Sequence, residues 1–581
     1  MVARSSKKRS AKQSAKRTQR RLTARTKKLR RGQSRSGKAK NVQDNSAAKS
    51  LSPREKLIQE RAAAARREKT ISYLTTVVLG CAFVGLLVGL IVDPKAGVAA
   101  GGALACLMVS SKYQRLALYA FIIYIPFAGT VTYALGGNPL LQIAKDIFYI
   151  PALVGVYQFC RKNRLPIILP KAIKPPLVFL IVVVSITVLV TNLPDQIMQV
   201  EGKFPMIMAI WGAKVIFGYI PLVACIYYLI RNLEDLVFIL RLQAVLVLVA
   251  CSLGLVQYFL LKTGVCAGTV GVGEEMFRAS LESRCFVGGS LLYSPAMNQI
   301  RLPGTFVAPW QWGWFLISGV FFSFGTTFSD KSLLWRVVGG ISLIVLLVMA
   351  LVSGQRIALA LVPFFTVVLI ILTGQVANLK RFLPIGIILG LVLSYLAISN
   401  PVVVETRLDS FISRWEASPP QQFIQEQLSQ AWEGQEGIFG EGVGRATNSA
   451  RTFGSTTLIE TYHAKVLHEI GLVGLVAVMV LYTTLTVVTF RVYRQTEDKS
   501  LRSYAAAMWV FILFISYCPY YYPLDVDPVG VYYWLAAGII LKIPELERQE
   551  REKALLEQGI EVRPEKGRRS RRNQQTKAVF E

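Results

Sequence analysis

Long, continuously apolar runs separated by short polar turns repeat along most of the 581 residues. A segment such as Leu177-Val-Phe-Leu-Ile-Val-Val-Val-Ser-Ile-Thr-Val-Leu-Val lacks both the period-two alternation of a half-buried strand and a polar helical face. A helix surrounded by hydrocarbon or by other apolar helices accounts for it. The pattern predicts spans at 71–92, 96–111, 116–136, 142–160, 177–193, 207–230, 236–261, 309–328, 336–353, 357–374, 384–400, 470–493, 504–522 and 529–543. The runs at 96–111 and 529–543 are the least marked, so twelve to fourteen membrane helices are expected. A transmembrane barrel would show short alternating segments instead, and the fold class is therefore an all-α polytopic membrane protein.

One polar island interrupts the apolar part on a large scale. It runs from Pro401 to Gly474 and ends in Glu460-Thr-Tyr-His463-Ala-Lys-Val-Leu-His468-Glu-Ile-Gly471-Leu-Val-Gly474, which contains both histidines of the chain. The predicted organisation is a basic tail at 1–70, eleven helices over 71–400 with a polar loop at 262–308, a large loop at 401–469, three helices over 470–543 and a charged tail at 544–581.

Composition agrees with the pattern and adds direction. With 53% hydrophobic and 17% charged residues the chain is excluded from the soluble globular class. The formal charge of +31 is concentrated at one end, where residues 1–70 hold 24 Lys and Arg against 4 Asp and Glu. That tail is rich in Ser, Ala and Gln and is read as disordered up to about Pro53. It is read as a solvated arm that keeps the N-terminus cytoplasmic, with attraction to anionic lipid headgroups as the functional alternative; lacking stacking aromatics, it is not expected to bind a specific nucleic acid. With the N-terminus inside, the C-terminus is inside too, and the loops 262–308 and 401–469 both face outward. The eight cysteines form no C-x-x-C pair, so no metal site is expected. Cys266 and Cys285 share one polar loop and can pair in an oxidising compartment.

Ionisable residues at membrane depth are costly and mark candidate sites. Asp146 beside Lys145, Lys214, Arg356 in the short outer turn Ser353-Gly-Gln-Arg356, and Arg301 in Arg301-Leu-Pro-Gly-Thr-Phe all lie toward the outer edge and point to one cavity. Each also has a plain structural reading: an ion pair at a helix end for Lys145 and Asp146, a partner on the next helix for Lys214, a helix-end anchor for Arg356. Arg241 lies near an inner edge and is expected to snorkel to the cytoplasm. In the large loop, Arg407 and Arg414 fall on one helical face. Gln422 to Trp432 form an amphipathic helix able to lie on the membrane surface. The Gly440-x-Gly442-x-Gly444 segment, followed by Arg445 and Arg451, is either an exposed turn or a set of backbone N–H groups facing an anion.

An outer cavity with arginines and a nearby His or Glu suits transfer from a lipid-linked diphosphate. Guanidinium groups hold the phosphates and stabilise the leaving diphosphate, while one titratable side chain takes the acceptor proton. The external loops carry no convincing Asp-x-Asp or His/Glu cluster, since Asp525-Val-Asp527 sits in a very short one, so the site is expected to work without metal or cofactor.

These residues resemble the O-antigen ligase family, which includes O-antigen polymerase-like membrane proteins. The resemblance rests on Arg301-Leu-Pro-Gly-Thr-Phe-Val-Ala-Pro, on Ser353-Gly-Gln-Arg356, and on the large loop from Arg407 and Arg414 through Gly440-x-Gly442-x-Gly444 to Glu460 and Glu469-Ile-Gly471-Leu-Val-Gly474, over roughly residues 300–490. It implies a GT-C-like glycosyltransferase at the outer face of a bacterial cytoplasmic membrane. The donor would be a polyprenyl-diphosphate-linked glycan and the acceptor a glycan or lipid. Arg301, Arg356, Arg407, Arg414 and Lys214 would contact the diphosphate, and His463 or Glu460 would act on the acceptor. The chain departs from the family where many ligases carry a His-Asn pair: here Glu460 occupies that place and His463 follows one helical turn later, so both are candidates. His468 is expected to cap or pack at the start of its helix. The family also includes proteins described as inorganic-carbon transporters, which makes transport the second reading; a non-catalytic membrane scaffold is a third.

Overall fold

A computed structural model describes residues 53–135, 143–198, 204–267, 284–288, 292–294, 299–375, 419–435 and 437–558, with scattered single positions among the rest. The chain forms two units, residues 1–73 and residues 74–581. The tail before Pro53, Arg407, Arg414 and most of the predicted span 384–400 lie outside the described residues.

The helices are α1 (Pro53–Ile91), α2 (Pro94–Lys112), α3 (Gln114–Tyr124), α4 (Ala128–Ala134), α5 (Asp146–Asn163), α6 (Lys174–Thr187), α7 (Leu193–Ile197), α8 (Pro205–Phe217), α9 (Leu222–Leu229) and α10 (Leu233–Lys262). A two-stranded antiparallel ribbon follows, β1 (Leu292–Ser294) and β2 (Gln299–Arg301). The remaining helices are α11 (Pro309–Ser329), α12 (Leu333–Val352), α13 (Arg356–Leu372), α14 (Pro420–Glu433), α15 (Tyr462–Gln495), α16 (Lys499–Tyr517) and α17 (Val529–Glu557). Among the described residues nine helical segments are long and apolar enough to cross a membrane, and α13 is a shorter apolar helix.

The weakly marked run at 529–543 turns out to be the centre. α17 is buried on almost every side from Val529 to Ile543, as an all-round apolar helix must be, and it packs against α9, α11, α15 and α16. Gly538 lets Ile226 of α9 approach so closely that a Cβ there would lie 2.7 Å from the Ile226 Cβ. The predicted surface helix after residue 544 is instead the continuation of α17, which runs through Pro544 to Glu557. α11 is equally enclosed; Trp312, Trp314, Phe315, Phe321, Phe322 and Phe324 fill the space around it.

Two expectations are corrected at the helix ends. Arg241 does not snorkel. Its Nε and Nη2 donate to the two oxygens of Asp330 at 2.7 and 2.8 Å, and its guanidinium lies 5.0 Å from the Trp335 ring centroid. A buried carboxylate at the end of α11 outcompetes bulk water because two parallel charge-assisted bonds need no further ordering. His468 does not sit at a helix start either, because α15 begins at Tyr462 and breaks at Gly471 (φ 69°, ψ −173°). His468 therefore lies in the last turn of a short half-helix, 462–470.

Candidate functional site

The break in α15 leaves three backbone carbonyls without helical partners, as any helix C-terminus does. The polar island supplies the donors. Gln435 Nε2 donates to the Leu467 carbonyl at 2.7 Å, Glu441 N to His468 at 2.8 Å and Gly442 N to Glu469 at 3.2 Å. Only glycine fits on either side of this contact: a Cβ on Gly471 would lie 2.0 Å from the Ile438 carbonyl oxygen, and one on Gly440 2.6 Å from the His468 oxygen. Gly440, Gly442 and Gly444 all have positive φ, the conformation that favours glycine.

The same loop is tied down from three directions. Asn192, fully buried, accepts from Val443 N at 2.9 Å and donates to the Val443 carbonyl at 3.1 Å. Arg445 pairs with Asp195 of α7. Ala446 N and the Thr447 hydroxyl both donate at 2.9 Å to Glu469, whose side chain is buried. The glycine loop is thus neither an exposed turn nor an open cradle; its N–H groups cap the half-helix, and the anion met by the segment just after it is the chain's own Glu469.

The apolar side of α14 is turned toward the protein rather than toward a membrane surface. Ala431 and Leu428 join Ala446, Ile459, Ala464 and Leu467 in a small cluster, Phe423 lies against Tyr520 and Tyr521, and Gln427 accepts from Glu460 N at 2.6 Å.

The turn between α16 and α17, residues 518–528, organises several of the charges. Asp525 pairs with Lys465 at 2.6 Å, both side chains nearly inaccessible, and Asp527 pairs with Lys145. Tyr219 is hydrogen-bonded to Asp527 and lies in the field of Asp146, while Asp146 itself pairs with Lys214. Lys214 also sits 4.8 Å over the Trp211 ring. At the other end of the turn, burial pushes the Tyr520 phenol up to about 12, with Arg356 lowering it and Glu460 raising it. Burial likewise raises the Glu460 carboxyl, opposed by a hydrogen bond from Tyr522. Arg356 and Glu460 thus act on one tyrosine with opposite sign. Next to Arg301, Leu302 N donates to the Ser353 carbonyl at 2.9 Å, which ties the end of β2 to the turn before Arg356.

Glu460 does not share a helical turn with His463 as expected: it lies in non-helical backbone before the extended N-cap Thr461, and His463 is the second residue of α15. Its Nε2 lies 3.3 Å from the Ser516 carbonyl oxygen. A carbonyl can only accept, so Nε2 carries the proton and the neutral ring presents Nδ1 as a lone pair. Nδ1 is buried without a hydrogen-bond partner.

The predicted residues therefore fall into groups. Arg356 and Glu460 both act electrostatically on Tyr520, and Arg301 is next to Leu302, which is bonded to Ser353 ahead of Arg356. Lys214 and Asp146 form a separate pair. The glycines belong to the helix cap. Missing from the sequence reading were Asp525, Asp527 and Tyr520 as the hub; their lysine partners lie far away in the chain, and only the polarity of a short turn hinted at them.

Taken together these features describe a multi-pass, helical membrane protein with several ion pairs gathered at the turn between α16 and α17. No protein-family model matches the chain, and no curated protein matches it.

Proposed function

We propose that the chain is a membrane glycosyltransferase of O-antigen ligase or polymerase type, acting on a polyprenyl-diphosphate-linked glycan at the outer face of a bacterial cytoplasmic membrane. The observation that carries this reading is the unpartnered Nδ1 of His463, three residues after a carboxyl, Glu460, that acts on Tyr520 with opposite sign to Arg356.

In this reading the acceptor hydroxyl donates to His463 Nδ1. As its oxygen bonds to the anomeric carbon, the proton passes to Nδ1 and the bond from that carbon to the diphosphate oxygen breaks with its electron pair. Arg356 and Arg301 stabilise the departing diphosphate. Glu460 holds an acceptor or donor hydroxyl in place. The Ser516 carbonyl orients the imidazole and stabilises the imidazolium. Asp525 and Asp527 are each taken by a lysine, which supports a metal-independent site. Arg407 and Arg414 would join the diphosphate from the adjoining loop.

The test is glycan assembly in the host. His463→Ala should lower transfer by about 10²–10⁴-fold, as loss of a general base does, and Arg356→Ala should cause the lipid-linked glycan to accumulate. Unchanged surface-polysaccharide profiles in both variants would sink the reading. Transport stays as the second reading because of one feature, the helix break at Gly471 with buried Lys465, Glu469 and Asp525 around it; discontinuous helices beside buried charges are how transporters build ion sites. Uptake of a labelled anion into liposomes containing the purified chain would favour it.

A further inference from the structure

We propose that Tyr520 and Tyr521, with Phe423 beside them, form a saccharide-binding platform that seats one pyranose ring of the glycan next to Glu460. This deepens the transferase reading and rests on it for the identity of the sugar's source.

The three rings make a compact group. Tyr520 and Tyr521 lie 4.9 Å apart edge to face, and Phe423 lies 5.6 Å from Tyr520 and 6.0 Å from Tyr521. Each of the three is partly exposed, whereas Tyr462, Tyr482, Tyr522 and Tyr533 nearby are buried. Tyr521 has φ 60°, a left-handed conformation that a bulky aromatic residue rarely adopts. Such an outlier persists where the surroundings over-determine it and concentrates at ligand sites. Here it turns two consecutive aromatic side chains toward the same neighbour on α14 while the Tyr521 carbonyl accepts from Tyr462 N at 2.9 Å.

Sugar recognition needs two kinds of surface. The axial C–H groups of a pyranose carry slight positive charge and settle on the negative face of an aromatic ring; the equatorial hydroxyls need charged or amide partners in the ring plane. Both are present. Glu460 N donates at 2.6 Å to Gln427 of α14, the helix that carries Phe423, and the Glu460 carboxyl and the Arg356 guanidinium act on the Tyr520 phenol with opposite sign, which supplies an acceptor and a donor for sugar hydroxyls. A membrane-interface belt would use the same tyrosines, but would not set a carboxyl and a guanidinium against one of them.

Saturation-transfer NMR on the full chain in nanodiscs tests the platform, with the methyl glycosides of glucose, galactose, rhamnose and N-acetylglucosamine as probes. Irradiating the aromatic protons should saturate the ring C–H protons of at least one probe. Tyr520→Leu, which keeps apolar bulk and removes the π face, should reduce that signal at least about threefold, and Tyr520→Phe should keep it. Melting curves check that the variants are folded, and Phe423→Leu, which removes the neighbouring π face, serves if Tyr520→Leu is not. No signal with any probe, or equal signals in the chain and in folded Tyr520→Leu, overturns the proposal. Because binding is read without turnover, a Tyr520-dependent signal in a chain that transfers no glycan would leave the platform standing and remove the transferase reading.

Discussion

Lys465 Nζ lies 2.6 Å from Asp525 Oδ1, with side chains 2% and 5% exposed, and this pair joins the half-helix carrying His463 to the turn carrying Tyr520. Glu469 is within electrostatic reach of both partners, so the three together leave one negative charge that the Ala446 N–H and Thr447 hydroxyl stabilise.

Breaking the pair strands a charge away from water. Lys465→Met or Asp525→Leu alone should cost about 3–5 kcal/mol, and the double variant less than either single, because the one charge it leaves, Glu469, is already held by the Ala446 N–H and Thr447 hydroxyl. Thermal unfolding of the detergent-solubilised variants gives the comparison. A double variant worse than both singles would mean that Lys465 chiefly neutralises Glu469.

The helix break makes a second prediction. Gly471→Ala must force a left-handed φ of 69° and meet the Ile438 oxygen at 2.0 Å, so it should destabilise by more than the roughly 1–3 kcal/mol of backbone strain alone. Limited proteolysis should then cut faster within residues 437–447, since the loop loses its seat. The equivalent change at Gly374, where φ is also positive but nothing lies within 4 Å of a Cβ, should show only the strain.

Glu460 gives a pH signature. Its carboxyl titrates above the ordinary 4.5 because burial outweighs the Tyr522 hydrogen bond. A folded-state value above the unfolded one means that the native state holds the proton longer, so the stabilising contribution is complete below the unfolded value and is lost as pH rises through the folded one. Glu460→Gln should remove that slope. Denaturant titrations at a series of pH values should therefore show the variant gaining on the parent from pH 4.5 upward. A gap that stays constant with pH would contradict the assignment.

Cys266 and Cys285 are disulfide-bonded, and the linked segment is stitched to the bundle by Arg284 Nη1 to the Tyr133 carbonyl at 2.9 Å and Gln257 Nε2 to the Cys285 carbonyl at 3.0 Å. Cys285→Ser should lower stability by about 2–4 kcal/mol and increase hydrogen exchange at Gly288, whose N–H donates to Cys285. Mass spectrometry of exchanged peptides, with and without reductant, measures both.

The apolar spans were legible because hydrocarbon tolerates only one backbone solution, and so was the cysteine pair, since two thiols in one short polar loop meet easily. The site was legible in its ingredients. Arg301, Arg356, Glu460 and His463 each stood out as a charge or a titratable ring beside a span. Their arrangement was not, because Asp527 finds Lys145 across most of the chain, and no spacing rule carries that distance. The break at Gly471 was hidden too, since a glycine in an apolar run is ordinary until something else in the chain needs its carbonyls.

That break also imposes an order of assembly. The Gly440–Gly444 loop is made before the carbonyls of residues 467–469 that it caps, and Thr187 and Asn192, which hold it at Phe439 and Val443, are made earlier still. During synthesis the ends of α6 and α8 that meet this loop therefore wait, unsealed, until the half-helix emerges. Final closure waits longer, for Asp525 to arrive and neutralise a lysine already facing the interior.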